Sequence, residues 1–155
     1  LQDCDKALDY YQQRLKIAEK LNERPGKRFA LVSLGNVYFT LAQYEKAVNY
    51  YQKSLEIARK IGEFSGEATT LCNLGGALIR LENYAEAFEN LQAALKICVD
   101  TENYYLAATT MQNMAAVCLK IGRHDLALQF CDRALAIATE LNIPLVKECQ
   151  EFKEQ

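Results

Sequence analysis

Apolar residues recur along this chain at spacings of three and four, the period of one face of a helix. Residues 5–21 carry it in Ala7, Leu8, Tyr11, Leu15, Ile17, Ala18 and Leu21. The same spacing continues through Phe29, Leu31, Val32, Leu34, Val37, Tyr38 and Leu41. After only Ala42-Gln43 it resumes with Tyr44, Ala47, Val48, Tyr51, Leu55, Ile57, Ala58 and Ile61. A link that short forces the two helices to lie antiparallel. Asn22 and Gly62 stand where a left-handed residue is expected to close a helix, and Pro25-Gly26 reads as the separator before the next one.

The pattern then repeats every 40 residues. Leu34-Gly35-Asn36 through Ala47 returns as Leu74-Gly75-Gly76 through Ala87 and as Met114-Ala115-Ala116 through Ala127. A fixed period of this size predicts stacked helix pairs, that is, an all-α solenoid with antiparallel pairs as its units. The expected division is a half unit at 1–25, full units at 26–65, 66–105 and 106–145, and the start of a further helix at 146–155. Gly35, Gly75 and Ala115 share one slot, and Ala7, Ala47, Ala87 and Ala127 share another, as expected where helices cross closely. Leu in place of Ala87 is expected to cost about 1–3 kcal/mol through overpacking.

Composition narrows the class without altering this picture. Half of the 155 residues are hydrophobic and a quarter charged, so a folded domain is expected. The net charge of −2 offers no basic face for nucleic acid, and no apolar run approaches the roughly 18 residues of a spanning helix. No nucleic-acid or membrane partner is therefore expected. The chain lacks an initiating Met, which suggests a fragment or processed piece. Cys98 falls in the slot of Ala18, Ala58 and Ala138, and Cys118 in that of Tyr38 and Leu78, so these thiols are read as small hydrophobes in a reducing, cytoplasmic setting. No C-x-x-C spacing and a single His argue against a zinc site.

Leu31, Leu34, Gly35, Tyr38, Ala47 and Tyr51 together resemble the tetratricopeptide repeat, and the likeness runs along essentially the whole chain. It weakens toward the C-terminus, where Gly75-Gly76-Ala77-Leu78 loses the Tyr and Met114-Ala115-Ala116-Val117-Cys118 loses both Gly and Tyr. The 40-residue period is similar to the long-helix branch, which includes kinesin light chains, Leu-Gly-Asn adaptors and bacterial arrays. The resemblance implies a right-handed all-α solenoid with a protein or peptide partner in a groove lined by the first helix of each unit. Carried over by position, unit one contributes Phe29, Val32, Ser33, Asn36, Phe39 and Thr40. Unit two contributes Thr69, Cys72, Asn73, Gly76, Ile79 and Arg80, and unit three Thr109, Gln112, Asn113, Ala116, Leu119 and Lys120. The chaperone-binding subgroup clamps a C-terminal carboxylate with two Asn and three cations. Asn36 and Asn73 occupy the Asn slots, but the cationic slots fall on Val32, Thr109 and Asn113, so that clamp is expected to be absent.

Asn36 is the residue most suited to reading a peptide backbone, since an amide offers both donor and acceptor; the alternative is that it satisfies a neighbouring helix end. Arg80 and Lys120 hold equivalent positions and would favour an acidic segment, unless they are only solvated charges at helix ends. His124 stands in the aromatic slot of Tyr44 and Tyr84 and reads as packing or capping. Tyr10 and Tyr50 are expected at the surface. No nucleophile, base and acid fall at usable spacing, and no phosphate loop is present, so no enzyme activity and no cofactor is expected. Two other functions stay open: a structural segment that self-associates through uncovered end helices, and a regulatory domain that senses a peptide.

Overall fold

The computed structural model describes residues 2–141. Among them are seven helices and no strands: α1 Gln2–Lys20, α2 Arg24–Thr40, α3 Tyr44–Ile61, α4 Phe64–Arg80, α5 Tyr84–Asp100, α6 Tyr104–Lys120 and α7 His124–Glu140. They form an all-α, right-handed solenoid. Each helix packs antiparallel on the next, while α2, α4 and α6 also touch one another in succession. Those three therefore make the inner, concave layer, with α3, α5 and α7 behind them. The expected helix beyond Pro144, and Cys149 with it, lie outside the described residues.

Helix starts fall about two residues earlier than the sequence pattern suggests. Pro25-Gly26 does not separate α1 from α2; both sit in the first turn of α2, which opens at Arg24 with Glu23 as its N-cap. Proline is tolerated there because a first-turn N–H has no intrahelical acceptor to lose.

Every joint has the same backbone. One residue just past each helix end is left-handed: Asn22, Ala42, Glu82, Glu102 and Gly122 two positions on and Gly62 directly after Ile61, with φ between 52° and 75°. The next N–H reaches back five residues to a helix carbonyl, as in Gln43 N to Tyr38 O at 2.9 Å and Arg123 N to Cys118 O at 2.7 Å. This closes the orphan carbonyls of one helix while the chain turns into the next.

The core threads between the layers. Ala47, Ala87 and Ala127 are fully buried at the helix crossings. A Cβ on Gly35 would lie 2.5 Å from the Tyr51 ring, and one on Gly75 would lie 2.6 Å from Leu91 Cγ. The shared glycine slot thus exists to seat a large side chain from the second helix of the same unit. Cys72, Cys98, Cys118 and Cys131 are buried and unpaired, packed as small apolar groups. Ile17 and Leu21, by contrast, remain exposed, because α1 packs chiefly against α2.

Candidate functional site

The inner layer carries a row of adjoining clefts. The first, of about 240 Å³, lies between α1 and α2 and is bordered by Cys4, Ser33, Asn36 and Thr40. The second, about 280 Å³, is bordered by Phe29, Val32, Ser33, Asn36, Thr69 and Asn73. The third, about 370 Å³, joins Asn36, Phe39, Thr40, Cys72, Asn73, Thr109 and Asn113. The fourth, about 340 Å³, brings Phe39, Gly76, Ile79 and Leu119 together with Arg80, Gln112, Asn113 and Lys120. Each residue that the resemblance assigns to the groove borders at least one of these clefts.

Their roles differ from those the sequence suggests. Val32 and Cys72 are 7% and 3% exposed and belong to the core, offering a ligand little more than an edge. Their slots face the buried cluster that also holds Leu71, Leu74 and Met114. Burial pushes the Cys72 thiol up, opposed by hydrogen bonds from Thr110 and Asn113. Asn113 Nδ2 approaches Cys72 Sγ at 3.6 Å. Thr40, Thr69 and Thr109 each turn their hydroxyl back to the carbonyl four residues earlier, leaving a methyl toward the groove.

Asn36 is the largest departure. Its Oδ1 accepts a hydrogen bond from the Tyr51 hydroxyl at 2.8 Å and another from Asn73 Nδ2 at 3.1 Å. Neither partner is a helix end, and the acceptor that a peptide backbone would use is already engaged. Tyr51 is 2% exposed, and burial raises its pKa. Asn36 thus satisfies a buried hydroxyl and ties α2 to both α3 and α4. Its N–H donors have no bond among the described residues.

The units that follow have Gly76 and Ala116 in the Asn36 slot, and the fourth cleft opens there. The nearest atom to a Cβ on Gly76 would be Asn113 Nδ2, 4.0 Å away. The space is open for lack of a side chain. Phe39, Ile79 and Leu119 give it apolar walls. The exposed Arg80 and Lys120 stand at its rim, with no ion pair among the described residues.

Two further residues, Arg28 and Glu63, border the site without having stood out in the repeat pattern. Arg28 binds Glu63 through two hydrogen bonds, Nε to Oε2 at 2.7 Å and a terminal nitrogen to Oε1 at 2.9 Å, bridging the inner helices beside the second cleft. The signal was opposite charges at the starts of successive inner helices. Tyr50 is not a free surface residue; its ring stacks on Tyr38 at 5.3 Å with planes 10° apart. His124 is exposed as the first residue of α7. Among the described residues no group of His, Cys, Asp and Glu is placed to hold a metal, and no helix is long and apolar enough to cross a membrane.

Antiparallel helix pairs stacked at a fixed period, with a grooved inner layer, define a helical-repeat protein. The tetratricopeptide repeat model matches residues 1–60 and 66–140, so the chain belongs to the tetratricopeptide repeat family. No curated protein sequence matches it. Among solved structures, BtubC (BKLC) from P. vanneervenii superposes with a TM-score of 0.84 at 22% identity, over 93% of this chain and 59% of that one. A Rap protein solved in complex with Competence and Sporulation Factor gives 0.80 at 22% identity, over 92% of this chain and 40% of that one. A putative kinesin light chain from Podosopora anserina, with nearly identical repeats, gives 0.75 at 18% identity over 97% and 84%. The chain therefore spans about three fifths of BtubC and two fifths of the Rap protein. At these identities the likeness establishes the fold.

Proposed function

We propose that this chain is a protein-interaction scaffold that binds a peptide or a partner protein along its concave face, with an acidic segment facing Arg80 and Lys120. The observation that carries this reading is the fourth cleft, where an apolar floor opened by Gly76 and Ala116 meets two cations at its rim. Such a site buries an apolar side chain and steers carboxylates toward it. The Rap protein complexed with Competence and Sporulation Factor is a precedent for partner binding on this fold. Families built from this repeat are generally non-enzymatic scaffolds, and binding without catalysis is the function proposed here.

The test is Gly76→Leu, which fills the cleft where the backbone has room for a side chain. Affinity capture from native extract with the wild type and this variant should yield partners that the wild type retains and Gly76→Leu loses by at least about tenfold. Equal recovery by both, with unchanged helicity, would remove the fourth cleft from the binding surface.

A second reading rests on α1 and the residue that follows it, where Tyr10, Ile17 and Leu21 are exposed at 55%, 56% and 68%. That face would stack against a further helix or a second copy. Light scattering across a hundredfold dilution separates the readings, since a mass independent of concentration would sink the stacking idea.

A further inference from the structure

The large apolar side chains left in solvent are unevenly distributed. Because neighbouring helices are antiparallel, the α1/α2, α3/α4 and α5/α6 joints share one edge of the solenoid and the remaining joints the other. The first edge exposes Leu21, Phe64, Val99, Tyr104 and Tyr105, and the second Ile121.

Equivalent positions along that first edge then change character. The first two joints are fastened by ion pairs: Lys27 with Glu19 at 3.0 Å, Arg28 with Glu63 at 2.7 Å and Arg59 with Glu67 at 2.8 Å. At the third joint, Val99 stands in the slot of Glu19 and Arg59, and Ala107 in that of Lys27 and Glu67. The ion pairs are gone. Val99, Tyr104 and Tyr105 are 57%, 48% and 64% exposed, and Asp100 and Glu102 lie exposed between them with no ion pair among the described residues.

We propose that the α5/α6 joint docks a partner segment in which Arg or Lys alternates with apolar residues. The apolar side chains would cover Val99, and the cations would lie over the Tyr104 and Tyr105 rings against Asp100 and Glu102. An aromatic face and a carboxylate attract the same cation, and a guanidinium can stack on one while it bonds the other. The carboxylates disfavour an acidic segment or an anionic lipid surface here. This site is distinct from the concave cleft of opposite charge. Tyr104 and Lys120 are at opposite ends of α6, about 24 Å apart along the helix axis at 1.5 Å per residue.

The experiment titrates the ¹⁵N-labelled chain with two synthetic peptides, acetyl-Arg-Leu-Arg-Leu-Arg-amide and acetyl-Glu-Leu-Glu-Leu-Glu-amide. The Arg peptide should shift the amides of residues 99–105 saturably, with affinity falling about fivefold between 50 and 300 mM salt. Asp100→Asn with Glu102→Gln should weaken it about threefold to tenfold, and Tyr104→Ser with Tyr105→Ser about tenfold. These side chains are exposed, so an unchanged circular dichroism spectrum is expected for each variant. Equal shifts from the Glu peptide, shifts confined to other residues, or undiminished affinity in both double variants would overturn the proposal. The amides of Gly76, Arg80 and Lys120 report in the same spectra whether the concave cleft takes the Glu peptide, so the two sites succeed or fail separately.

Discussion

The concave face has two halves built from equivalent positions, and one slot among those that differ separates them most clearly. In the first half that slot holds Asn36, cross-linked to Tyr51 and Asn73. In the second it holds Gly76 and Ala116, and the surface opens into a cleft walled by apolar side chains with two cations at its rim. One backbone geometry thus supports clefts bordered by a hydrogen-bonded cross-link or a cleft with an apolar floor, depending on whether a side chain is present. Scaffold and site are separable here at the level of adjacent residues: Gly75 is small because Leu91 presses on it, while Gly76 is small with nothing pressing on it.

The sharpest way to test that separation is to add one methyl group at each kind of glycine. Gly35→Ala would drive a Cβ to 2.5 Å from the Tyr51 ring, and the expected loss is about 1–3 kcal/mol by urea unfolding. A loss of only a few tenths would mean that Tyr51 moves aside freely.

Asn36→Ala comes next, because it leaves the buried Tyr51 hydroxyl without an acceptor, at a cost of about 1–3 kcal/mol. In a Tyr51→Phe background the same change should cost less than about 0.5 kcal/mol, since the stranded donor is then absent. Equal costs in the two backgrounds would show that Asn36 acts through something other than Tyr51.

Gly76→Ala should move stability the other way, by about 0.5–1 kcal/mol, because alanine favours the helix and its methyl meets no atom closer than 4.0 Å. Destabilisation would erase the distinction between the two glycines. The smallest effect on folding is expected for Arg80→Ala with Lys120→Ala, within about 0.5 kcal/mol. That pair should nevertheless remove most of the salt dependence of binding to an acidic peptide, measured by calorimetry at two ionic strengths.

The solenoid and its inner layer were legible because the 40-residue register superimposes Gly35 on Gly75 and Ala47 on Ala87, and shared small residues mark helix crossings. The residues that the resemblance assigns to a groove border the clefts of the inner layer. What those side chains do there did not follow. Asn36 finds its partners 15 and 37 residues away, and helical periodicity does not encode which way an amide turns. Val32 and Cys72 carry the right register for the groove yet sink into the core, because burial depends on how closely neighbouring units approach. Helix starts were misplaced around Pro25-Gly26 because proline and glycine suit a first helical turn as well as a loop. The left-handed backbone at Ala42, Glu82 and Glu102 was silent for a related reason. These residue types have no preference for positive φ, and the geometry there is set by the packing of the helices on either side.

Those joints bear on how the array can move. Four of the six put a residue other than glycine in left-handed backbone, at about 1 kcal/mol or more each, and such a conformation persists only where its surroundings over-determine it. With the turn further fixed by the reach-back bond at each joint, helix-to-helix angles have little freedom of their own. Bending is left to concerted sliding of packed side chains along the helices. The array is therefore expected to flex as a spring whose stiffness is spread over its length, and a ligand in the groove would feel a gradual change in curvature instead of a door that opens or shuts.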